Sequence, residues 1–142
     1  MKIFFVRHGK DDGTVRGGWS EEPLTAEGKA QADALASFIQ RSELGIQCIY
    51  SSDLLRAVQT AQPVADRLQL PIILMPGFRE TNNGDLAGMK NDLAGKLYPG
   101  LYWNTLDWEQ RYPGGESPRA FYERISTAWD AFQKMALEQA NY

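Results

Sequence analysis

The sequence predicts an α/β fold: a three-layer α/β/α sandwich in which helices cover both faces of a mainly parallel sheet. Three short apolar runs, at residues 3–6, 46–50 and 71–75, alternate with amphipathic helical stretches, and this order is typical of parallel α/β domains. The chain has 142 residues, which suits one domain over residues 1–142. Ligands of such sheets bind beyond the carboxyl ends of the strands.

Capping residues and apolar stripes predict three helices. Thr25, Ser52 or Asp53, and Ser117 are suitable N-caps, and Pro118 suits a first helical turn. Pro63 is expected to kink or split the second helix. Residues 76–116 are rich in glycine and proline and predict a long excursion with short helices. The stripes are Ala32, Leu35, Ala36 and Ile39; Leu54, Val58, Ala61, Ala65 and Leu68; and Phe121, Ile125, Ala128, Phe132 and Met135.

Composition limits the partners and the location. The formal net charge is −3, with 43% hydrophobic and 23% charged residues, which argues against a nucleic-acid partner. The single cysteine, Cys48, cannot form an intramolecular disulfide, and we interpret it as a small core residue. The opening apolar run is too short for a signal sequence or a membrane span. We therefore expect a cytoplasmic protein with no membrane partner.

His8 is the only histidine and follows the first predicted strand. Arg7 precedes it, and Gly9 allows a ligand to approach closely. A lone histidine is often structural or at the surface, and a tripeptide is a weak signal by itself. The position at the carboxyl end of a strand is what favours a functional interpretation.

Two further residues are candidates for the same face. Arg56 lies in the first turn of the second helix, where free N–H groups and a guanidinium fork suit a phosphate. Glu80 follows the third strand and could act as a general acid. The alternatives are a solvated arginine, alone or paired with Asp53, and a surface glutamate.

Taken together, the motifs resemble the histidine phosphatase superfamily, also described as phosphoglycerate mutase-like. The resemblance runs in order through most of the chain. The matching segments are Arg7-His8-Gly9, Pro23-Leu24-Thr25 with Gly28, Ile49-Tyr50-Ser51-Ser52-Asp53-Leu54 with Arg56-Ala57 and Gln59-Thr60-Ala61, Arg79-Glu80 with Gly84 and Gly88, and Pro113-Gly114-Gly115-Glu116-Ser117.

The resemblance implies phosphoryl transfer through a phosphohistidine on His8. Arg7 and Arg56 would bind the phosphoryl oxygens together with His8, and Glu80 would protonate the leaving oxygen and then activate water. No metal or other cofactor is expected. The substrate would be a small phosphorylated metabolite, with inorganic phosphate as product or ligand. The compact excursion favours a phosphatase over a phosphoglycerate mutase-type reaction.

The sequence departs from the family pattern at several points. Lys10 replaces a usual glutamate or glutamine, Thr14 and Gly17 occupy the places of an expected asparagine and glutamine, and Leu86-Ala87 replaces Trp-Glu. The second catalytic histidine, expected on a later strand beside the first, is missing, so we expect a truncated fold that lacks C-terminal strands.

Three interpretations follow from these departures: an impaired phosphohydrolase or mutase, a non-catalytic phosphate-binding or assembly protein, and a fragment without a function of its own. The missing strand would leave residues 3–6 unpaired, so either the first two strands pair directly or two chains associate. We expect a homodimer. Four aromatic residues of the excursion are interpreted as packing residues rather than a lid: Tyr102, Trp103, Trp108 and Tyr112.

Overall fold

The computed structural model describes residues 1–140. Its elements, in order, are α1 (Ala26–Arg41), β1 (Ile49–Ser51), α2 (Leu55–Leu68), β2 (Ile72–Leu74), two short 3-10 turns (Pro76–Phe78 and Gly84–Leu86), α3 (Asn91–Leu97) and α4 (Pro118–Ala140). The strands β1 and β2 pair in parallel, with Ile49 opposite Ile72. The predicted mixed α/β architecture with a parallel sheet is confirmed. In the described residues that sheet has two strands.

The predicted first strand at residues 3–6 is wrong. These residues form no strand, and their side chains are exposed, with Phe5 81% and Val6 54% accessible. A strand needs a neighbour to satisfy its backbone groups, and β1 pairs only with β2 among the described residues. The alternative in which the first run closes the gap by pairing with the second strand is therefore also wrong. A cavity of about 1120 Å³ lies between residues 1–6, β1 and the helices.

The helix predictions hold, with two corrections in α2. Thr25 Oγ1 accepts from the Gly28 amide and Ser117 Oγ from the Ala120 amide, so both predicted N-caps are confirmed. The N-cap of α2 is Leu54, not Ser52 or Asp53. Ser52 Oγ instead accepts from the Leu54 amide. The split at Pro63 is wrong, because the helix continues through it as one element with buried residues on both sides, and the kink stays a prediction.

The hydrophobic core lies where α4 crosses the end of the sheet. Met75, Phe132 and Ala136 are buried there, and the Tyr50 and Phe132 rings meet edge to face at 4.9 Å. Apolar contact along the predicted stripe thus holds α4 on the strands. Cys48 is exposed, which corrects its assignment to the core, and its Sγ donates to Gln139 Oε1 at 2.8 Å.

The excursion contains the short helices that its composition predicts, but most of its aromatic side chains are exposed. Trp103 is 71%, Trp108 50% and Tyr102 46% accessible, whereas Tyr112 is 7% accessible. The packing interpretation is right for Tyr112. Trp108 and Tyr102 also make packing contacts despite their exposure, since the Trp108 ring lies 5.9 Å from the Tyr122 ring and the Arg16 guanidinium lies 4.0 Å from the Tyr102 ring. Most of the Trp103 side chain is exposed. Within residues 1–140, no helix is long and apolar enough to cross a membrane.

Candidate phosphate site

Two glycines hold the segment around His8 against the start of α1. A Cβ on Gly9 would lie 2.5 Å from the Gly28 carbonyl oxygen, and a Cβ on Gly28 would collide with the Lys10 carbonyl. The Thr25 amide donates to that Lys10 carbonyl at 2.9 Å. Only glycine permits so close an approach of two backbones, so Gly9 and Gly28 fix where His8 lies.

A backbone contact determines which nitrogen of the half-buried His8 ring carries the hydrogen. Nδ1 lies 2.7 Å from the Gly9 carbonyl oxygen. A carbonyl oxygen can only accept, so Nδ1 carries the hydrogen and donates. In the neutral ring this leaves the lone pair on Nε2. Nε2 is therefore the nitrogen that can attack phosphorus.

Arg56 is 1% exposed and is surrounded by acceptors. Its Nη2 donates to the Gly18 carbonyl at 2.7 Å and to Glu80 Oε2 at 2.9 Å, and its Nη1 donates to the Ser20 carbonyl at 3.2 Å. Nε makes no hydrogen bond to a described residue but lies 3.5 Å from Asp11 Oδ2. Two carboxylates therefore compensate this buried charge, as burial of an ion requires.

A threonine connects the His8 segment to Arg56. Thr60 Oγ1 accepts from the Gly9 amide at 2.9 Å and donates to the Arg56 carbonyl at 2.8 Å. Both bonds are buried, so they are protected from competition with water. The side-chain oxygen of the neighbouring Gln59 accepts a hydrogen bond from the Leu24 amide at 2.7 Å. The first two turns of α2 thus hold both the histidine segment and the loop that surrounds the Arg56 guanidinium.

The carboxylate of Glu80 is open to solvent, with 56% of its side chain exposed, but its backbone is fixed. The Trp19 indole donates to the Glu80 carbonyl at 2.7 Å. Arg124 of α4 donates to the carbonyls of Gly77, Arg79 and Glu80 at 2.9, 2.9 and 3.1 Å. Glu80 therefore has a fixed backbone and a water-accessible carboxylate that is paired with Arg56.

The alternative pairing of Arg56 with Asp53 is wrong, because Asp53 binds Arg79. Arg79 makes two hydrogen bonds of 2.6 Å to the Asp53 carboxylate. These bonds hold the pKa of Asp53 below its usual range and raise that of the Arg79 guanidinium. The Arg79 guanidinium also stacks over the Trp19 ring at 4.6 Å, so this pair supports the wall of the site beside Glu80.

The structure pairs two of the four predicted site residues directly, links the segment of a third to them, and leaves Arg7 apart. Arg56 and Glu80 form an ion pair, and His8 is joined to them through Gly9 and Thr60. Arg7 is exposed. The large cavity contacts His8, Ser51, Ser52 and Thr60 at one end and does not include Arg7, Arg56 or Glu80. Within residues 1–140, no three His, Cys, Asp or Glu side chains are grouped closely enough to hold a metal ion.

Sequence reasoning missed the roles of Thr60, Asp11 and Arg124. Thr60 belongs to a matching motif, but a motif does not show which amide a hydroxyl will accept. Asp11 and Arg124 lie far from Arg56 and Glu80 in sequence. No periodic or spacing signal connects them, and only the folded chain brings Asp11 to 3.5 Å from Arg56.

The fold is of the mixed α/β class, and comparison with known proteins identifies its family. The model of the histidine phosphatase superfamily (branch 1) matches residues 3–140. The chain belongs to the histidine phosphatase superfamily.

Relatives include both mutases and phosphatases. A 2,3-bisphosphoglycerate-dependent phosphoglycerate mutase of Bartonella henselae is 30% identical over 136 residues, which cover 87% of this chain and 64% of the relative. The corresponding enzyme of Methylobacterium radiotolerans is 30% identical over 133 residues, covering 87% and 62%. The chain thus spans less than two thirds of the length of these relatives.

Solved structures agree with the fold. A mycobacterial glucosyl-3-phosphoglycerate phosphatase complexed with VO3 matches with a TM-score of 0.73 and 28% identity, covering 89% of this chain and 64% of that one. The same phosphatase with inorganic phosphate matches with a TM-score of 0.69 and 28% identity, covering 89% and 60%. Family membership supports phosphoryl transfer chemistry in general terms.

Proposed function

We propose that this chain binds a small phosphorylated metabolite and transfers its phosphoryl group to Nε2 of His8. The observation that carries the proposal is the buried Arg56, paired with Glu80 at 2.9 Å and joined through Thr60 to the amide beside His8. A guanidinium at a helix N-terminus is a strong phosphate site. The link through Gly9 and Thr60 connects the His8 segment to this guanidinium, which supports a phosphate shared between them.

The steps follow from the roles of these groups. Nε2 of His8 attacks phosphorus while Glu80, in its protonated form, gives its proton to the leaving oxygen, so the N–P bond forms as the ester P–O bond breaks and Glu80 becomes a carboxylate. Arg56 neutralises the phosphoryl oxygens. Arg7 is exposed and apart from the cluster, so its role as a second cation requires that its side chain turn toward the bound phosphate. Glu80 then removes a proton from the water that cleaves phosphohistidine and releases inorganic phosphate. A phosphatase is favoured over a mutase, and no cofactor is needed.

For residues 1–142 we propose weak turnover, because these residues contain one histidine and the family pattern uses two. Losing one preorganised donor at a reacting centre costs about 10²–10³ in rate. The single histidine also motivates a second candidate function, non-catalytic phosphate binding, which needs the cationic site but no second histidine. In either case a phosphate must compete with the Gly18, Ser20 and Glu80 acceptors to which the Arg56 Nη atoms donate.

Titration with phosphate and then with a generic phosphate ester tests the proposal. We expect millimolar phosphate to shift the His8 ring resonances in NMR, and mass spectrometry to find acid-labile phosphate on His8 after incubation with ester. His8→Ala should abolish the label and the residual turnover. Arg56→Met should abolish phosphate binding, and the matched control Arg67→Met on the same helix should retain it. Unchanged His8 resonances would contradict the phosphate site.

Because the NMR titration reports phosphate binding and mass spectrometry reports phosphohistidine, the two measurements together distinguish the non-catalytic alternative. If phosphate shifts the His8 resonances but no phosphohistidine forms, the chain is a phosphate-binding protein. If turnover survives His8→Ala, another nucleophile is responsible. Either result rejects the catalytic proposal while leaving the binding site intact.

We further propose that the protein is a cytoplasmic homodimer. The exposed cysteine is unpaired, as is usual in reducing compartments. Four consecutive apolar residues, 3–6, are exposed beside the open cavity, and a second copy would cover them. Sedimentation equilibrium at micromolar protein should give twice 16.0 kDa, and Phe5→Ser should shift the equilibrium toward monomer. A monomer that unfolds cooperatively would reject the dimer.

A further inference from the structure

Asp11 is a carboxylate at the phosphate site to which the proposed mechanism gives no role. Its Oδ2 lies 3.5 Å from Arg56 Nε, and 27% of its side chain is exposed, against 1% of the Arg56 side chain. The backbone of Asp11 is fixed independently of this contact, because Asp11 forms an antiparallel bridge with Leu24. The Leu24 amide in turn donates to the Gln59 side chain of α2. The buried guanidinium thus has a firmly placed carboxylate beside it that solvent reaches.

The N–H group on Arg56 Nε has no acceptor. An arginine carries five N–H groups. Those on Nη1 and Nη2 donate to the Gly18 carbonyl, the Ser20 carbonyl and hydroxyl, and Glu80 Oε2. Nε is buried and has no hydrogen-bond partner among the described residues. The Asp11 oxygen at 3.5 Å attracts the charge but lies beyond the usual hydrogen-bond length of about 2.7–3.2 Å. A buried donor without an acceptor is costly unless a ligand supplies one.

The Asp11 carboxylate has the complementary deficit, an acceptor without a donor. The charged and polar side chains next to it along the chain are engaged elsewhere: Lys10 pairs with Glu27, and Thr14 donates to Asp12. Within residues 1–140, the ion pair with Arg56 is the contact that Asp11 makes with a cation, and no donor is hydrogen-bonded to its carboxylate. An ionised carboxylate can only accept hydrogen bonds, so its lone pairs are open to a donor on a ligand.

An unsatisfied donor and an unsatisfied acceptor, 3.5 Å apart, together define the ligand that fits them. Such a ligand places an oxygen that accepts from Arg56 Nε next to an O–H group that donates to Asp11. An oxyanion that keeps a proton carries both groups on one central atom. A fully ionised oxyanion has acceptors only, so its oxygens would meet the Asp11 carboxylate with like charge and without a hydrogen bond. Repulsion of this kind discriminates between ligands as effectively as attraction does.

We propose that Asp11 is a specificity-determining residue that makes the Arg56 site select an oxyanion carrying a proton and reject one that is fully ionised. At neutral pH inorganic phosphate keeps a proton on one oxygen, whereas sulfate keeps none. A phosphate monoester, whose second pKa is about 6, would bind as its monoanion. This inference rests on the proposed phosphate site and names the protonation state of the anion that the site takes.

Phosphate and sulfate test the assignment, because both ions are tetrahedral and similar in size but differ in that proton. NMR titration of the full chain at pH 7 and constant ionic strength measures both affinities. We expect the wild type to bind phosphate about tenfold more tightly than sulfate, the effect of one hydrogen bond to a charged group that solvent partly screens. Asp11→Asn should remove most of this preference, mainly by raising the affinity for sulfate, because the neutral amide no longer repels the ion.

Asp12→Asn is the matched control, because Asp12 is the next residue and its carboxylate accepts from Thr14. It removes the same charge and should leave the preference unchanged. Asp11→Ala removes the carboxylate without adding an amide donor and should also lose the preference.

Three outcomes would overturn the inference: equal binding of the two ions by the wild type, a wild-type preference that survives in both Asp11 variants, and an equal loss of preference in Asp12→Asn. If neither ion binds to the wild type, the proposed phosphate site itself is wrong.

Discussion

Arg124 joins α4 to the segment that carries Glu80, and its removal gives a sharp test of the fold around the site. Its Nε and Nη2 bind the two Glu116 carboxylate oxygens at 2.9 and 3.1 Å. The same guanidinium satisfies three backbone carbonyls, those of Gly77, Arg79 and Glu80. The side chains of Arg124 and Glu116 are 23% and 11% exposed, so water replaces these bonds only partly.

Arg124→Met should therefore lower the free energy of unfolding by about 3 kcal/mol. Breaking a buried ion pair by removing one partner costs about 3–5 kcal/mol, and the remaining exposure of Arg124 reduces that cost toward its lower end. The three carbonyls that lose their donor raise the cost again, since an unsatisfied carbonyl can cost about 1–3 kcal/mol when water cannot reach it. The neutral methionine keeps most of the side-chain volume, so the loss reports on the polar contacts.

Arg119→Met is the matched control, because Arg119 lies on the same helix. Its pair with Glu109 is 50% and 67% exposed, and exposed pairs contribute about 0–1 kcal/mol. Urea unfolding, followed by tryptophan fluorescence and circular dichroism, measures both variants. If the two variants differ by less than about 1 kcal/mol, the energetic role assigned to the Arg124 contacts is refuted.

Two further predictions concern charge and backbone conformation. Arg79 lowers the pKa of Asp53 in the folded protein. The pair therefore contributes its full stabilisation at pH values above the ordinary aspartate pKa of about 3.9. This stabilisation is lost as the pH falls through the lower pKa of the folded state. Asp53→Asn should cost about 1–2 kcal/mol at pH 7, and the difference from the wild type should shrink in unfolding measured toward pH 3; a constant difference would contradict the ionic origin. Gly18→Ala should destabilise the protein by about 1–3 kcal/mol, because Gly18 has a φ of 62° and faces the Asn83 side chain. Gly95→Ala in exposed α3, where a Cβ meets nothing within 4 Å, should stabilise it by about 0.5–1 kcal/mol; a thermal melt that ranks these two variants in the opposite order would reject the reasoning.

The sequence alone determined the helices, two of the strands and the family. Capping residues and apolar periodicity are local signals, so Thr25, Ser117 and the stripe of α4 could be found without coordinates. The ordered motifs identified the superfamily because they combine several segments in a fixed order. Phosphoryl transfer chemistry in general follows from that membership.

Only the tertiary structure decided what depends on partners distant in sequence. Residues 3–6 have the composition of a buried strand, yet they stay exposed because a strand forms only when a neighbour satisfies its backbone, and the local pattern does not contain that neighbour. In the same way, Arg56 forms ion pairs with Glu80 and Asp11, and Asp53 pairs with Arg79, although Asp53 is closer to Arg56 along the chain. Ion pairing depends on distance in space, which the chain acquires only when it folds.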